Sequence, residues 1–315
     1  MKFQVKMSVF LILLSLLITS CKGNNNNIDE PTDLITELPA VVTNIQKIVP
    51  HPYEEKYAVL KDYKVQIYDL KNEIFFETDL SVNINTWKND SVLYAASLSV
   101  PSALLEVNVY TNEIIRLVKP YSDINEEKVI HNTFPVYNMN LKTLCFNTVG
   151  QQNGLGFNGL VFLNSNNEFT LKEVGLKPTW GGESEQTIYF FGYYPETKEA
   201  DYYLAKYNIV TKEETKLFDL ETNSLPISNI DVNKDGDKLL ICGELSDDYL
   251  PQIYIYDLFE KKLNKLTELS YPIQNAFFSS NNDIVFTIYN EREYSSYSLD
   301  LNTRTVKPIL NDIDK

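Results

Sequence analysis

Few segments of the 315-residue chain place reactive side chains at a spacing that chemistry would use. Asp231-Val-Asn-Lys-Asp-Gly-Asp237 sets acids and an amide at alternate positions before a glycine, as a calcium loop begins. The closing carboxylate should fall at position 242, which is Cys242. The segment therefore reads as a hairpin turn in which Asp235-Gly236 supplies the positive φ. Gly154-Leu-Gly-Phe-Asn-Gly159 spells a dinucleotide fingerprint. That fingerprint needs a helix to bring its N-terminus to a pyrophosphate, and the Leu160-Val-Phe-Leu163 that follows reads as strand. His51 and His131 are the only histidines, and no His-x-x-x-His or Cys-x-x-Cys pair exists, so neither a metal nor a cofactor is expected. Neither histidine lies near a nucleophile elbow, and His51, between Pro50 and Pro52, reads as a turn residue. Cys145 and Cys242 stand in apolar runs and read as buried free thiols. Paired acids, Glu183 with Glu185 and Asp247 with Asp248, are the raw material of a glycosidase or lyase. Strand alternation turns near neighbours apart, which weakens that pairing.

The elements that would carry these residues are short strands in two recurring classes. One is a continuous apolar run: Tyr57–Leu60, Val92–Ala95, Leu144–Phe146, Ile188–Phe191, Leu239–Cys242 and Ile284–Thr287. Such runs suit strands buried on both faces. The other follows it and ends in a polar turn: Val65–Leu70, Leu105–Tyr110, Leu160–Asn164, Tyr203–Asn208, Ile253–Leu258 and Tyr297–Leu301. Taking Asp69, Val109, Asn164, Asn208, Asp257 and Asp300 as equivalent, the unit recurs every ~45 residues, the length of one propeller blade. An all-β, six-bladed propeller of four-stranded antiparallel blades over residues 41–315 is expected. Seven blades with one decayed copy is the alternative.

Val232-Asn-Lys-Asp-Gly-Asp-Lys-Leu-Leu-Ile241 resembles the Phe-Ser-Pro-Asp-Gly-Lys-x-Leu-x-Phe pattern of TolB-like six-bladed propellers and the related WD40-like repeats. Phe278-Ser-Ser-Asn-Asn-Asp-Ile-Val-Phe286 is a second copy, and the tyrosine-rich Ile253–Leu258 strand fits the same type. The resemblance spans roughly residues 40 to 310. TolB-like soluble members carry an α/β domain ahead of the propeller, for which residues 28–45 leave no room, so an assembly factor of that kind ranks last.

The N-terminus carries its own signal. Lys2 and Lys6 precede an apolar Val9–Ile18, too short to span a bilayer as a mature helix. Leu17-Ile-Thr-Ser-Cys21 resembles a bacterial lipobox, which implies that residues 1–20 are a signal peptide and that Cys21 is acylated. Two or three acyl chains would hold the protein stably at a membrane. Residues 21–40 read as lipidated N-terminus and tether, with Lys22-Gly-Asn-Asn-Asn-Asn27 polar and flexible. Lys22, not Asp, follows the Cys, and its resemblance to known sorting patterns implies the outer membrane over the inner one, on either the periplasmic or the surface side; a Lys there also resembles the export signals of surface lipoproteins in the Bacteroidetes group. Asp90-Ser91-Val92 resembles the O-glycosylation acceptor of that group, with Ser91 as acceptor.

Charge narrows the partners. The formal net charge is −15, and without Lys2 and Lys6 the processed chain has 26 bases against 43 acids. So acidic a body repels phosphate backbones, and nucleic acid is not an expected partner. The face joining second strands to third strands should gather the long loops Ser97–Ser102, Gly150–Gly159, Gly192–Asp201, Gly243–Pro251 and Asn290–Tyr294. Phe157, Tyr193, Tyr194, Tyr249, Tyr294 and Arg292 are the candidate ligand-binding residues there. The expected function is a non-catalytic outer-membrane lipoprotein that binds an envelope protein, a peptide or a glycan. A polysaccharide hydrolase or lyase is the alternative.

Overall fold

All the apolar runs and their partners fold as strands, the second and third strands of six blades. The computed structural model describes residues 34–124, 127–152, 155–172, 174–181, 186–194, 202–220, 227–245 and 249–310. Blade 1 comprises β1 (Ile45–Pro50), β2 (Lys56–Lys61), β3 (Lys64–Asp69) and β4 (Ile74–Glu77). Blade 2 comprises β5 (Asn83–Asn89), β6 (Val92–Ala96), β7 (Leu104–Asn108) and β8 (Ile114–Val118). Blade 3 adds a short β9 (Ser122–Ile124) to β10 (Glu127–Asn138), β11 (Thr143–Gln152), β12 (Leu155–Leu163) and β13 (Phe169–Lys172). Blade 4 holds β14 (Leu176–Trp180), β15 (Thr187–Tyr193), β16 (Tyr202–Asn208) and β17 (Glu214–Leu220). Blade 5 holds β18 (Ile227–Val232), β19 (Lys238–Gly243), β20 (Gln252–Asp257) and β21 (Lys262–Lys265). Blade 6 holds β22 (Ile273–Phe278), β23 (Ile284–Asn290), β24 (Glu293–Leu299) and β25 (Val306–Pro308). Each sheet is antiparallel in chain order, and the count is six, not seven. No helix occurs among the described residues.

The double burial of the second strands has a direct cause: six apolar clusters each fill one seam between blades. Successive side chains point to opposite faces of a strand. On β19, Leu239 and Ile241 pack toward blade 4, and Leu240 and Cys242 toward blade 6. On β15, Ile188 and Phe190 face blade 3, while Tyr189 and Phe191 face blade 5. On β2, Ala58 and Leu60 meet blade 2, and Tyr57 and Val59 meet blade 6. The blade 2–blade 3 seam is closed by Leu104, Val129, Phe146 and Val161. Burying each such side chain contributes about 1.5–3 kcal/mol.

The outer hairpins repeat one device. Asp69, Asn108, Asn164, Asn208, Asp257 and Asp300 each accept backbone N–H bonds two to four residues ahead. Each is an Asx turn. A left-handed residue closes each turn: Glu73, Asn112, Asn167, Lys212, Lys261 and Arg304, with φ between 53° and 62°. The equivalent residue of blade 2 is therefore Asn108, not Val109. Val109 is buried in the blade 1–blade 2 seam instead. Asp231–Asp237 is a hairpin turn, with Asn233 Oδ1 accepting from Asp237 N and Lys238 N and Gly236 at φ 71°.

Among the described residues no strand is exchanged to close the ring, and each blade is drawn from one stretch of chain. β1 packs directly on blade 6, and Asn275 Nδ2 donates to the Gln46 carbonyl (3.2 Å). Residues 34–44 run as a strap across the blade 5–blade 6 seam. Ile35 pairs with the chain after β21 through Ile35 N to Leu266 O (3.1 Å) and Glu268 N to Ile35 O (2.9 Å). Tyr297 Oη donates to Pro39 O (2.9 Å), Ser295 Oγ bonds Val41 O, and Thr43 N and Asn44 N both reach Tyr294 O.

Candidate functional site

The innermost strands β1, β5, β10, β14, β18 and β22 surround the axis, and each carries a bulge, in the first half of the strand except for the Phe134-Pro135 bulge of the longer β10. Pairing skips one position in β1 (Gln46), β5 (Asn85), β18 (Ser228) and β22 (Gln274). In β10 Phe134-Pro135 oppose a single residue, and in β14 Lys177-Pro178 do so. A bulge re-aims a side chain and ends regular pairing locally. Here the bulges turn polar side chains toward the axis. The resulting cavity has a volume of about 210 Å³. It lies near the face on which the innermost strands begin, which is also the face of the second-to-third-strand loops.

Two lysines dominate the lining. Lys47 Nζ donates to Asn83 Oδ1 (3.4 Å). The Asn85 amide is oriented so that its oxygen also accepts from Lys47 Nζ (3.2 Å) and its nitrogen donates to the Asn83 carbonyl (2.8 Å). Lys177 Nζ donates to the Ser228 carbonyl (3.2 Å) and lies 3.5 Å from the centroid of the Phe134 ring. Among the described residues lining the cavity there is no carboxylate. Both lysines keep some solvent contact through the mouth, yet the channel walls crowd them. Burial pushes Lys47 down to about 7, with the nearby Lys177 charge adding to the effect. Burial pushes Lys177 down to about 8.

The backbone here is strained. Phe134 sits at φ 48° and Lys177 at φ 51°, each directly before a proline. A bulky L-residue in the left-handed region costs about 1–2 kcal/mol. The cation–π contact between the two side chains offsets part of that cost. Asn275 is 7% exposed, and its Oδ1 has no hydrogen-bond partner among the described residues. Side-chain bonds lock neighbouring innermost strands together around the cavity. Trp180 Nε1 donates to Val136 O and Trp87 Nε1 to Val49 O, both at 3.1 Å. Asn229 exchanges two bonds with Ala276, and Asp231 Oδ2 accepts from Phe278 N (2.8 Å). Burial raises the Asp231 carboxyl to about 7.

The residues singled out from sequence ring the same face without entering the cavity. Gly150–Gly159 is not a long loop: β11 and β12 extend through most of it as a hairpin. Glycine is required at Gly150, where a Cβ would meet the Phe157 ring at 2.5 Å. Phe157 is therefore buried within β12. Tyr193, at the end of β15, accepts a bond from Asn158 N at its hydroxyl (3.3 Å). Tyr194 lies outward, bonded to Asp219 and Lys216 and packed on Tyr203. Tyr249 is 95% exposed. Asn290–Tyr294 is also no long loop but a tight turn at Glu291-Arg292, with Arg292 exposed and Tyr294 against Tyr289. Glu183, Glu185, Asp247, Asp248, residues 1–20 and Cys21 lie outside the described residues.

The histidines stand elsewhere. His131 Nδ1 accepts from Ser102 N (2.9 Å) and pins the loop between β6 and β7. His51 is buried on the opposite face, edge-on to Trp87, with Nε2 3.5 Å from Asp90 Oδ1 and Glu54 close by. These three could be mistaken for metal ligands. Tyr53 N donates to His51 Nδ1 (3.3 Å), which leaves the proton on Nε2, and the Lys56 ammonium bonds the Asp90 carbonyl (2.6 Å). A protonated Nε2 beside a cation is a poor metal donor set. Ser91 bonds Asn89 in the β5–β6 turn of this same opposite face. Cys145 and Cys242 are buried free thiols in blades 3 and 5, and burial raises both.

The channel residues were missed from sequence. A bulge breaks the period-two pattern that marks a strand, so the innermost strands left no alternation to read. The available signal was Phe134-Pro135 and Lys177-Pro178, a proline inside a strand marking a bulge.

No family model matches the chain, and no curated protein matches it. TolB-like six-bladed propellers are among the solved structures it resembles. TolB from Acinetobacter baumannii superposes with a TM-score of 0.59 at 14% identity, over 82% of this chain and 61% of that one. This chain thus spans less than two thirds of that protein. Oligogalacturonate lyase in complex with manganese gives 0.53 at 13% identity, over 86% and 78% of the two chains. The β-propeller domain of the trilobed protease from Pyrococcus furiosus, described as having an open velcro topology, gives 0.52 at 15% identity, over 86% and 84%. At these identities the likeness is one of fold.

Proposed function

We propose that this chain is a non-catalytic binding propeller, held at a bacterial outer membrane by acyl chains on Cys21. Its ligand, a protein, peptide or glycan, enters by the loop face and seats at the channel mouth. The bulge repeated in all six innermost strands carries this reading, because it turns hydrogen-bonding side chains into one cavity on a rigid frame. Tyr193, Tyr194, Tyr249, Tyr294 and Arg292 form the rim of that face, and Phe157 supports it from beneath. A glycan on Ser91 would sit on the opposite face and leave the mouth clear.

The test is a cross-linking pull-down of the full-length lipidated protein from its native membrane, quantified against an unrelated lipoprotein, with a glycan array in parallel. Capture should fall when Tyr193, Tyr194 and Tyr249 are changed together to Ala with the melting temperature unchanged. Undiminished capture by that variant would remove the loop face from the reading. Cys21→Ser should lose fatty-acid label and leave the membrane fraction. The likeness to an oligogalacturonate lyase supports a second reading, a polysaccharide lyase or hydrolase using Glu183 with Glu185 or Asp247 with Asp248. Single alanine variants that keep any glycan-cleaving activity would rule those acids out.

A further inference from the structure

We infer that the channel mouth binds an acidic sugar, with Lys47 and Lys177 holding its carboxylate and the surrounding amides holding its hydroxyls. This rests on the reading that the channel is the ligand site. Four observations converge on it. Lys47 and Lys177 converge on one cavity although they repel each other, and the described lining offers them only amide, carbonyl and aromatic partners. A carboxylate between them would relieve the repulsion and accept charge-assisted bonds. Second, Lys177 reaches the cavity only because a strained bulge aims it there, and such strain persists where the surrounding structure over-determines it. Third, Asn275 presents in the lining a buried carbonyl oxygen that has no partner among the described residues and that a hydroxyl donor would satisfy.

Fourth, the rest of the lining favours a sugar over a peptide. Asn83, Asn85, Asn229, Gln274 and Asn275 offer both donors and acceptors. Hydroxyl groups also both donate and accept, so an amide wall suits a polyol ring. The volume of about 210 Å³ admits a single ring, so a terminal uronic acid residue enters rather than a chain interior.

The experiment is calorimetric titration of the detergent-solubilised full-length protein with galacturonate, glucuronate, glucose and a short glutamate-rich peptide. One or both uronates should bind saturably and glucose should not. Lys47→Gln and Lys177→Gln should each weaken uronate binding tenfold or more, and Lys47→Arg should keep it. Absent uronate binding by folded wild-type protein, or binding unmoved by both Gln variants, would overturn the inference. Tighter binding of the acidic peptide than of either uronate would overturn the sugar class. If uronate binding fails while membrane-partner capture still depends on the rim tyrosines, the acidic-sugar inference falls and the binding-propeller reading stands. With a short 4-linked oligogalacturonide added as a further probe, ultraviolet absorbance of an unsaturated uronate, formed by loss of the C5 proton and departure of the C4 glycosidic oxygen, would support the ligand class and overturn the non-catalytic reading.

Discussion

Replacing Lys47 with Met should stabilise the protein, and the gain should depend on pH in a defined direction. Lys47 is pushed from an ordinary 10.5 down to about 7 by burial and by the Lys177 charge. A shift of that size corresponds to about 4–5 kcal/mol as an upper bound. Partial solvent contact in the channel reduces the figure, and about 2 kcal/mol is expected at pH 6. The sign follows from proton counts. Between pH 7 and 10.5 the unfolded chain holds a proton on Lys47 that the folded chain has released, so wild-type stability rises with pH across that window. Below pH 7 the lysine is charged in both states and the folded state bears the full burial cost. Lys47→Met removes that cost. Urea melts of wild type and variant at pH 6 and pH 9.5 should show a gain of about 2 kcal/mol at pH 6, shrinking below about 1 kcal/mol at pH 9.5. A variant no more stable than wild type at pH 6, or a gain that does not change with pH, would refute the reasoning. A cation that weakens the fold by this much is the sort of feature function retains.

Uronate affinity should fall as pH rises past 7 to 8, because the binding forms of Lys47 and Lys177 are the protonated ones; calorimetry at pH 6 and 9 measures this. Asp231 is shifted the other way: burial raises it to about 7, so the folded state binds a proton more readily than the unfolded state. Wild type should therefore gain stability from this group as pH falls from 7 toward 4, and Asp231→Asn should flatten that part of the stability profile. Gly150→Ala should destabilise by about 1–3 kcal/mol, since the added Cβ meets the Phe157 ring at 2.5 Å and the Lys128 carbonyl at 2.6 Å; a denaturant midpoint equal to wild type would contradict this. Tyr297→Phe should cost about 1 kcal/mol by freeing the Pro39 carbonyl, and faster hydrogen exchange in residues 34–44 should accompany it.

The sequence alone determined the class of fold and the turns, and it favoured six repeats while leaving seven open until the sheets were counted. These are local matters. A run such as Leu239–Cys242 is apolar at every position because both of its faces meet a neighbouring blade, and that is visible without knowing which blade. An Asp or Asn that caps its own turn, as Asp257 and Asp300 do, needs only the next few residues. Even so, one repeat was misaligned by a residue, since Asn108 and Val109 are neighbours and only the hydrogen bonds separate them. The placement of the long loops was partly legible, but pairing register decided that Gly150–Gly159 and Asn290–Tyr294 belong to hairpins. The cavity was not legible. Lys47 and Lys177 belong to different blades and meet only because six strands converge on one axis. Their side chains point inward because a bulge reverses the alternation that sequence reading relies on. Chain-local preference writes strands and turns into the sequence, but ring closure alone brings two distant cations into one cavity.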